Sequence, residues 1–164
     1  MKRELQIVIS DSDFDAALEW VVQATTNVVN KTDSSVYITT VFLLNGESMV
    51  VETLVSEGHS RDVDPYEVLY GFGKHLRALG RTADAVFVAY SAGEPASGEN
   101  ITVTGYTPDG RANAAVLQIE RGGKAVMRVI GSKIYEYSKR NRLAGSRNPA
   151  VEVIRGLTEE AGGK

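Results

Sequence analysis

Hydrophobic and polar positions follow two periods along the chain, and each period predicts a different kind of element. In residues 14–29 the apolar positions recur three and four residues apart, which is the spacing of an amphipathic helix. They are Phe14, Ala17, Leu18, Val21, Val22, Thr25, Val28 and Val29. Ser12 and Asp15 have the spacing of a capping box, so we expect Ser12 to cap the start of this core helix.

The stretch from Val36 to Val55 predicts a β-hairpin. Its first part is dense in β-branched and aromatic residues, which suit a pleated strand, and Asn45-Gly46 is a strong signal for a two-residue turn. Such a turn pairs Leu44 with Glu47. Apolar pairs then fall on both faces of the hairpin, so we expect both faces to be covered, with a second copy of the chain covering what one chain does not.

A second helix and a buried strand follow the hairpin. Asp64, Pro65 and Glu67 are the N-cap, first-position and capping-box residues of a helix start, and Gly80 suits the position after its end. Residues 84–90 form a nearly continuous apolar run, which predicts a central strand. A helix between the hairpin and this strand permits a parallel crossover.

The later part of the chain predicts a three-strand meander, at Ile101–Tyr106, Ala112–Glu120 and Ala125–Ile130. Asn148 can cap a last short helix, and Leu5–Ile9 is either a first strand or the lead-in to the first helix. The elements together predict an α+β fold. It consists of a mostly antiparallel mixed sheet, made of hairpin, crossover helix, strand and meander, with two or three helices packed on it.

Four short segments resemble those of a loose group of small, uncharacterised bacterial α+β proteins. They are Val41–Gly46, Asp84–Val88, Thr107–Arg111 and Ile119–Gly122, and the resemblance covers about residues 36–125. These segments are turns and strands rather than chemical signatures. The resemblance therefore implies no activity and transfers no functional residue.

Charge is distributed unevenly along the 164 residues. Residues 1–130 contain 11 Lys or Arg and 17 Asp or Glu, whereas residues 131–155 contain 6 basic and 2 acidic residues. We therefore divide the chain into a single α+β domain, residues 1–130, and a basic C-terminal arm, residues 131–164. We expect the arm, with its short terminal helix, to dock on the acidic domain of its own or a second subunit.

Composition limits the environment and the chemistry. The chain has no cysteine, which excludes disulfides and thiolate metal sites and suits a reducing cytoplasm. No apolar run approaches the roughly 20 residues that cross a bilayer, and no signal-peptide pattern follows the first residues. We expect a cytoplasmic protein with no membrane partner and no cofactor.

An enzyme is one alternative, with its site at the loops formed by residues 56–63 and 91–99. Ser56, His59 and Asp62 could form a metal site or a nucleophilic arrangement, but their spacing matches no known catalytic motif. His75 is expected on the polar side of the second helix. The glycines of residues 71–74 and 122–124 lack the Ser or Thr after Lys that a phosphate-binding loop requires.

The basic arm offers another alternative, the binding of single-stranded nucleic acid. Cations neutralise phosphates and aromatic rings stack on bases. The candidate residues are Lys133, Tyr135, Tyr137, Lys139, Arg140, Arg142 and Arg147. The acidic pI of about 5.5 disfavours this interpretation. The leading hypothesis is a non-enzymatic interaction domain that forms a homodimer.

Overall fold

A computed structural model of the protein describes residues 9–32, 37–54, 65–92, 99–122, 126–136 and 148–158. These residues form helices packed on a six-stranded sheet, which is the α+β fold that the sequence predicts. The helices are α1 (Asp11–Lys31), α2 (Pro65–Ala78) and α3 (Pro149–Thr158). The strands are β1 (Thr40–Asn45), β2 (Ser48–Thr53), β3 (Ala85–Ala92), β4 (Asn100–Tyr106), β5 (Ala112–Arg121) and β6 (Met127–Glu136).

The sheet has the order β2-β1-β3-β4-β5-β6, and every pair of neighbours is antiparallel. Although α2 connects β2 to β3, β3 lies beside β1 and runs opposite to it. The parallel pairing that the crossover permitted therefore does not occur among the described strands. Strands β2 and β6 form the two edges of the sheet.

Helices cover the two faces of the sheet as separate layers. On the α1 face, the buried stripe of α1 packs against apolar residues that include Phe87, Ile101 and Leu117. On the opposite face, α2 and α3 pack against residues of β1 and β3, and Val153 and Val41 belong to the same apolar cluster. Burying one such side chain contributes about 1.5–3 kcal/mol, so both layers hold the sheet.

The helix layers are offset from each other across the sheet. Helix α1 packs on β3, β4, β5 and β6, whereas α3 packs on β3 and β4 and α2 packs mainly on α3. The α1 face thus has a covered half (β3–β6) and a hairpin half (β1 and β2). Behind the hairpin half, the α2–α3 pair buries the opposite face of β1.

Helix α1 confirms the predicted core stripe, with two corrections. Its N-cap is Ser10 rather than Ser12, because the Ser10 hydroxyl accepts a hydrogen bond of 3.1 Å from the Asp13 N–H. Ser10 and Asp13 repeat the capping spacing two residues earlier than expected. Val28 lies off the buried stripe and is exposed, while the other seven predicted positions are buried.

The hairpin forms as predicted, but its predicted register is wrong. Asn45 pairs with Ser48, so the turn residues are Gly46 and Glu47, and Gly46 has the positive φ of 58°. Asn45 stays in β1 because its side chain is held from outside the hairpin. Its amide donates to the Thr82 carbonyl and accepts a hydrogen bond of 3.2 Å from the Thr82 hydroxyl.

Strand β6 continues six residues further than the predicted third strand of the meander, which ended at Ile130. Gly131, the residue after that predicted end, pairs with Gln118 inside the sheet. The division drawn between residues 130 and 131 therefore falls within β6. Of the arm, the described residues are the end of β6 and helix α3, which packs against α2, β3 and β4.

Helices α2 and α3 approach each other closely at two glycines. A Cβ atom on Gly73 would lie 2.3 Å from the Val153 carbonyl oxygen, and one on Gly156 would lie 2.2 Å from the Tyr70 carbonyl oxygen. Real Cβ atoms do not come so close to backbone, so both positions require glycine. Gly71, two residues earlier in α2, has open space around it.

Candidate interaction surfaces

The hairpin half of the α1 face carries an exposed apolar surface. We call Trp20, Phe42, Met49 and Val51 the hairpin surface. The Trp20 ring meets the buried Phe42 ring edge-on, with 6.3 Å between centroids. Val51 lies opposite Phe42 on the neighbouring strand, and Met49 lies opposite Leu44. Trp20 is 49% exposed and Val51 is 50% exposed, so this surface presents large apolar side chains to solvent.

Sequence reasoning missed Trp20. Its position in α1 lies outside the buried stripe, so the helical period assigns it to the polar side. A signal was nevertheless present, because a tryptophan on the polar side of an amphipathic helix is costly to leave in water and is enriched at interfaces. The sequence predicts that the hairpin is covered on both sides. This holds for β1, where Val41, Phe42, Leu43 and Leu44 are all buried, but not for β2.

In the part of the chain that the structure describes, strand β2 adds an open sheet edge to this surface. Among the described strands its one neighbour is β1. Pairing partners alternate between hydrogen-bonded and non-hydrogen-bonded positions, and Leu54 donates to the Thr39 carbonyl at the end of the ladder. Leu54 is thus at a hydrogen-bonded position, and every second residue before it is bonded to β1 as well. The residues between them, Met49, Val51 and Thr53, therefore direct their N–H and C=O groups away from β1. The strand contains no lysine or proline, the residues that commonly protect an edge.

The β6 edge, at the other end of the sheet, is protected. A bulge between Gln118 and Ile119 leaves Ile130 without an opposite residue, and a bulge twists a strand away from regular pairing. The Asn30 side chain of α1 accepts a hydrogen bond of 2.9 Å from the outward N–H of Val129. A second strand would have to displace this side chain before pairing with β6.

A buried arginine ties α1 to the turn between β4 and β5. The Arg111 guanidinium donates to the Ile9 carbonyl and to the carboxylates of Asp11 and Asp109, and lies 5.7 Å from the Phe14 ring centroid. Burial alone would lower the pKa of Arg111, but Asp11 and Asp109 outweigh burial and raise it. These contacts occupy the guanidinium within the fold, which indicates a structural role.

Asp109 in the same turn is held in its charged form. Burial acts to raise the pKa of Asp109, but the Thr107 hydroxyl and the charge of Arg111 outweigh that effect and lower it. The backbone N–H of Arg111 donates a hydrogen bond of 3.0 Å to the Thr107 hydroxyl. The turn between β4 and β5 is therefore also an ionic cluster, which a turn pattern alone does not indicate.

The predicted nucleic-acid residues are described only in part. Lys133 is exposed in β6, opposite Val116 on the face of the sheet that α2 and α3 share. The backbone of Tyr135 lies in the same strand, opposite Ala114. The other candidates, Tyr137, Lys139, Arg140, Arg142 and Arg147, lie outside the described residues. The nucleic-acid interpretation stays a prediction.

The alternative enzyme site also falls mostly outside the described residues, including His59 and all of residues 56–63. At the end of the second loop, the Glu99 carboxylate is held by the Arg121 guanidinium, with N–O distances of 2.6 and 2.7 Å. His75 is exposed on α2, as predicted. Across the described ranges, no group of three or more His, Asp or Glu side chains is placed to hold a metal ion.

No helix in the described part of the chain has the length and apolar character needed to span a membrane. Comparison of the chain with protein-family models, curated proteins and solved structures gave no match.

Proposed function

We propose that the protein is a non-enzymatic interaction domain that associates with a second copy of itself through the hairpin surface. The observation that carries this proposal is the position of Trp20, half exposed above Phe42 at an open end of the sheet. A large aromatic side chain of this kind contributes binding free energy when a partner removes it from water.

Two further features support self-association rather than a small-molecule site. The apolar side chains of the hairpin surface lie beside the sheet edge formed by β2, and this combination suits a protein partner. Two polar clusters of the described residues, the one around Arg111 and the Glu99–Arg121 pair, are bound to neighbouring groups of the same fold. A symmetric pair of identical surfaces is the commonest arrangement of soluble oligomers.

The test is the mass of the protein in solution at micromolar concentration. We expect sedimentation to give twice the chain mass of 17.7 kDa for the unaltered protein and the single chain mass for Val51→Lys. Ile130→Lys is the matched control, because Ile130 is a 60% exposed β-branched residue on the opposite edge strand. It should leave the mass unchanged. A monomeric unaltered protein would contradict the proposal.

Trp20 gives a second measurement, because it is the single tryptophan of the chain. Association should move its fluorescence emission to shorter wavelength as the protein concentration rises. Val51→Lys should remove this concentration dependence, and Ile130→Lys should retain it. Emission that is independent of concentration in a protein of dimeric mass would place the interface elsewhere.

Nucleic-acid binding is the alternative function, based on the exposed Lys133 and the basic residues that follow β6. It predicts binding of a single-stranded oligonucleotide that weakens steeply with added salt. Lys133→Ala should reduce both the affinity and the salt dependence. If no binding is detected at low salt, this alternative fails without affecting the homodimer proposal.

A further inference from the structure

The geometry of β2 points to a specific mode of self-association, an inference that rests on the proposed function. We infer that two copies join β2 to β2 in antiparallel register, with Val51 opposite Val51 on a two-fold axis. The two six-stranded sheets would then form one continuous sheet. The partner is a second copy of this chain, because the edge of β2 is complementary to itself in this register.

The backbone supplies the first argument. The outward residues of β2 are Met49, Val51 and Thr53, which are evenly spaced about Val51. With Val51 on the axis, Met49 of one copy lies opposite Thr53 of the other, so every outward residue meets an outward residue. Each such pair exchanges two hydrogen bonds, which gives about six across the junction.

Other registers use fewer of these groups. An axis at Val50 or at Glu52 pairs two outward positions within the strand instead of three, which gives about four hydrogen bonds. The axis at Glu52 also places the two Glu52 side chains directly opposite, and like charges in opposite positions are destabilising. Side chains alternate between the two faces of a strand, so an odd-numbered residue of β2 can lie opposite only an odd-numbered residue of the other copy.

The side chains supply the second argument. On the α1 face, the axis at Val51 brings together two half-exposed valines, each beside the buried Phe42 of its own copy. The Trp20 ring of each copy stands at the border of this apolar strip. On the opposite face, Glu52 lies opposite Val50 of the other copy. Glu52 keeps its own partner there, because Arg81 donates to its carboxylate over 3.3 Å.

The contrast with β6 supplies the third argument. The β6 edge has a bulge and an N–H bound by Asn30, whereas β2 pairs with β1 without a register shift. Natural sheets use such devices to prevent pairing between edges. Their presence at β6 and absence from the described β2 edge favour pairing at β2.

The absence of cysteine allows a direct test by single-cysteine variants of the full chain at each position from Met49 to Thr53. A residue faces its own copy only on the two-fold axis, and each step along a strand adds about 3.3 Å per copy. Disulfides require Cα atoms about 4.4–6.8 Å apart. Under mild oxidation we therefore expect several-fold more cross-linked dimer with Val51→Cys than with Met49→Cys or Thr53→Cys.

Ile130→Cys on the opposite edge is the control for random collisions, and it should cross-link several-fold less than Val51→Cys. A maximum at Val50→Cys or Glu52→Cys would overturn the register. Equal, low cross-linking at all five positions in a protein of dimeric mass would overturn the β2 junction and leave self-association intact. A monomeric mass with no cross-linking would overturn both, and a segment of the same chain outside the described residues would then be the occupant to seek.

Discussion

The covered half and the hairpin half of the α1 face differ in what completes their burial. In the covered half, α1 lies over β3–β6 and is tied down near both ends, by Arg111 at its start and by Asn30 at its end. In the hairpin half, α1 contributes Trp20 from the side, and Val51 stays half exposed. The difference shows that one helix is too narrow to cover six strands. The strands that α1 does not cover are therefore either buried by a partner or left exposed to solvent.

The largest effect should come from removing the tie at the start of α1. Arg111→Met keeps an apolar stem beside Phe14 but loses the hydrogen bonds to Ile9, Asp11 and Asp109. We expect the free energy of unfolding in urea to fall by about 1.5–3 kcal/mol, the range for hydrogen bonds to charged groups. Arg81→Met, which removes the ion pair with Glu52 on the opposite face of the sheet, is the control. Its exposed pair with Glu52 should contribute at most about 1 kcal/mol.

The next effect concerns the layer behind the hairpin half. Gly73→Ala places a Cβ atom 2.3 Å from the Val153 carbonyl oxygen, so α2 and α3 must move apart. We expect a loss of about 1–3 kcal/mol in the free energy of unfolding. Gly71→Ala lies in the same helix with nothing within 4 Å, and should instead stabilise the protein by about 0.5–1 kcal/mol. Equal effects of the two variants would contradict the close helix contact.

A smaller effect should come from the protected edge. Asn30→Ala removes the acceptor for the Val129 N–H, a loss of about 0.5–1.5 kcal/mol in urea denaturation. Asn27→Ala is a matched control in the same helix, because the Asn27 side chain is bonded to Gln23 on the exposed face. It should change stability by about 0.2–0.5 kcal/mol. If Asn30→Ala also raises the oligomer mass, the β6 edge is held closed by this side chain.

The smallest effect is a pH dependence that comes from Tyr37, which lies just before β1 and packs against the core on the α1 face. Burial raises the pKa of the Tyr37 hydroxyl above its ordinary value of 10.0, against smaller opposite effects of Thr40 and Thr25. The folded state therefore favours the protonated hydroxyl. Its contribution to stability is present below pH 10 and is lost as pH rises from there through the folded pKa. Tyr37→Phe should reduce the fall in melting temperature above pH 10, and an unchanged fall would contradict the burial of Tyr37.

The sequence predicted the elements better than their ends. Local signals placed the helix start at Pro65 and the turn near Gly46, because capping and turn chemistry involve neighbouring residues. The hairpin register depended on a contact between Asn45 and Thr82, which lie 37 positions apart. No local pattern contains that contact. The end of β6 was missed for a similar reason, since Gly131 is kept in the strand by its pairing with Gln118.

The candidate surface was predictable only in outline. Apolar residues on both faces of the hairpin indicated that one chain would not cover them all, and half-exposed Val51 agrees with that pattern. Which strand would lie open depended on the sheet order, because β1 is buried by its position between β2 and β3. Trp20 belongs to the surface through the placement of α1 across the sheet, which a helical period does not specify.

The ties that hold α1 also determine when it can fold during synthesis. Asp11 and Arg111 are 100 positions apart, and Asn30 and Val129 are 99 apart. A ribosome adds roughly 5–20 residues per second, so roughly 5–20 seconds pass between the synthesis of each residue and that of its partner. During that interval the apolar stripe of α1 has no complete sheet to pack on. Helix α1 is therefore a segment that chaperones can bind in the nascent chain, before β5 and β6 emerge to cover it.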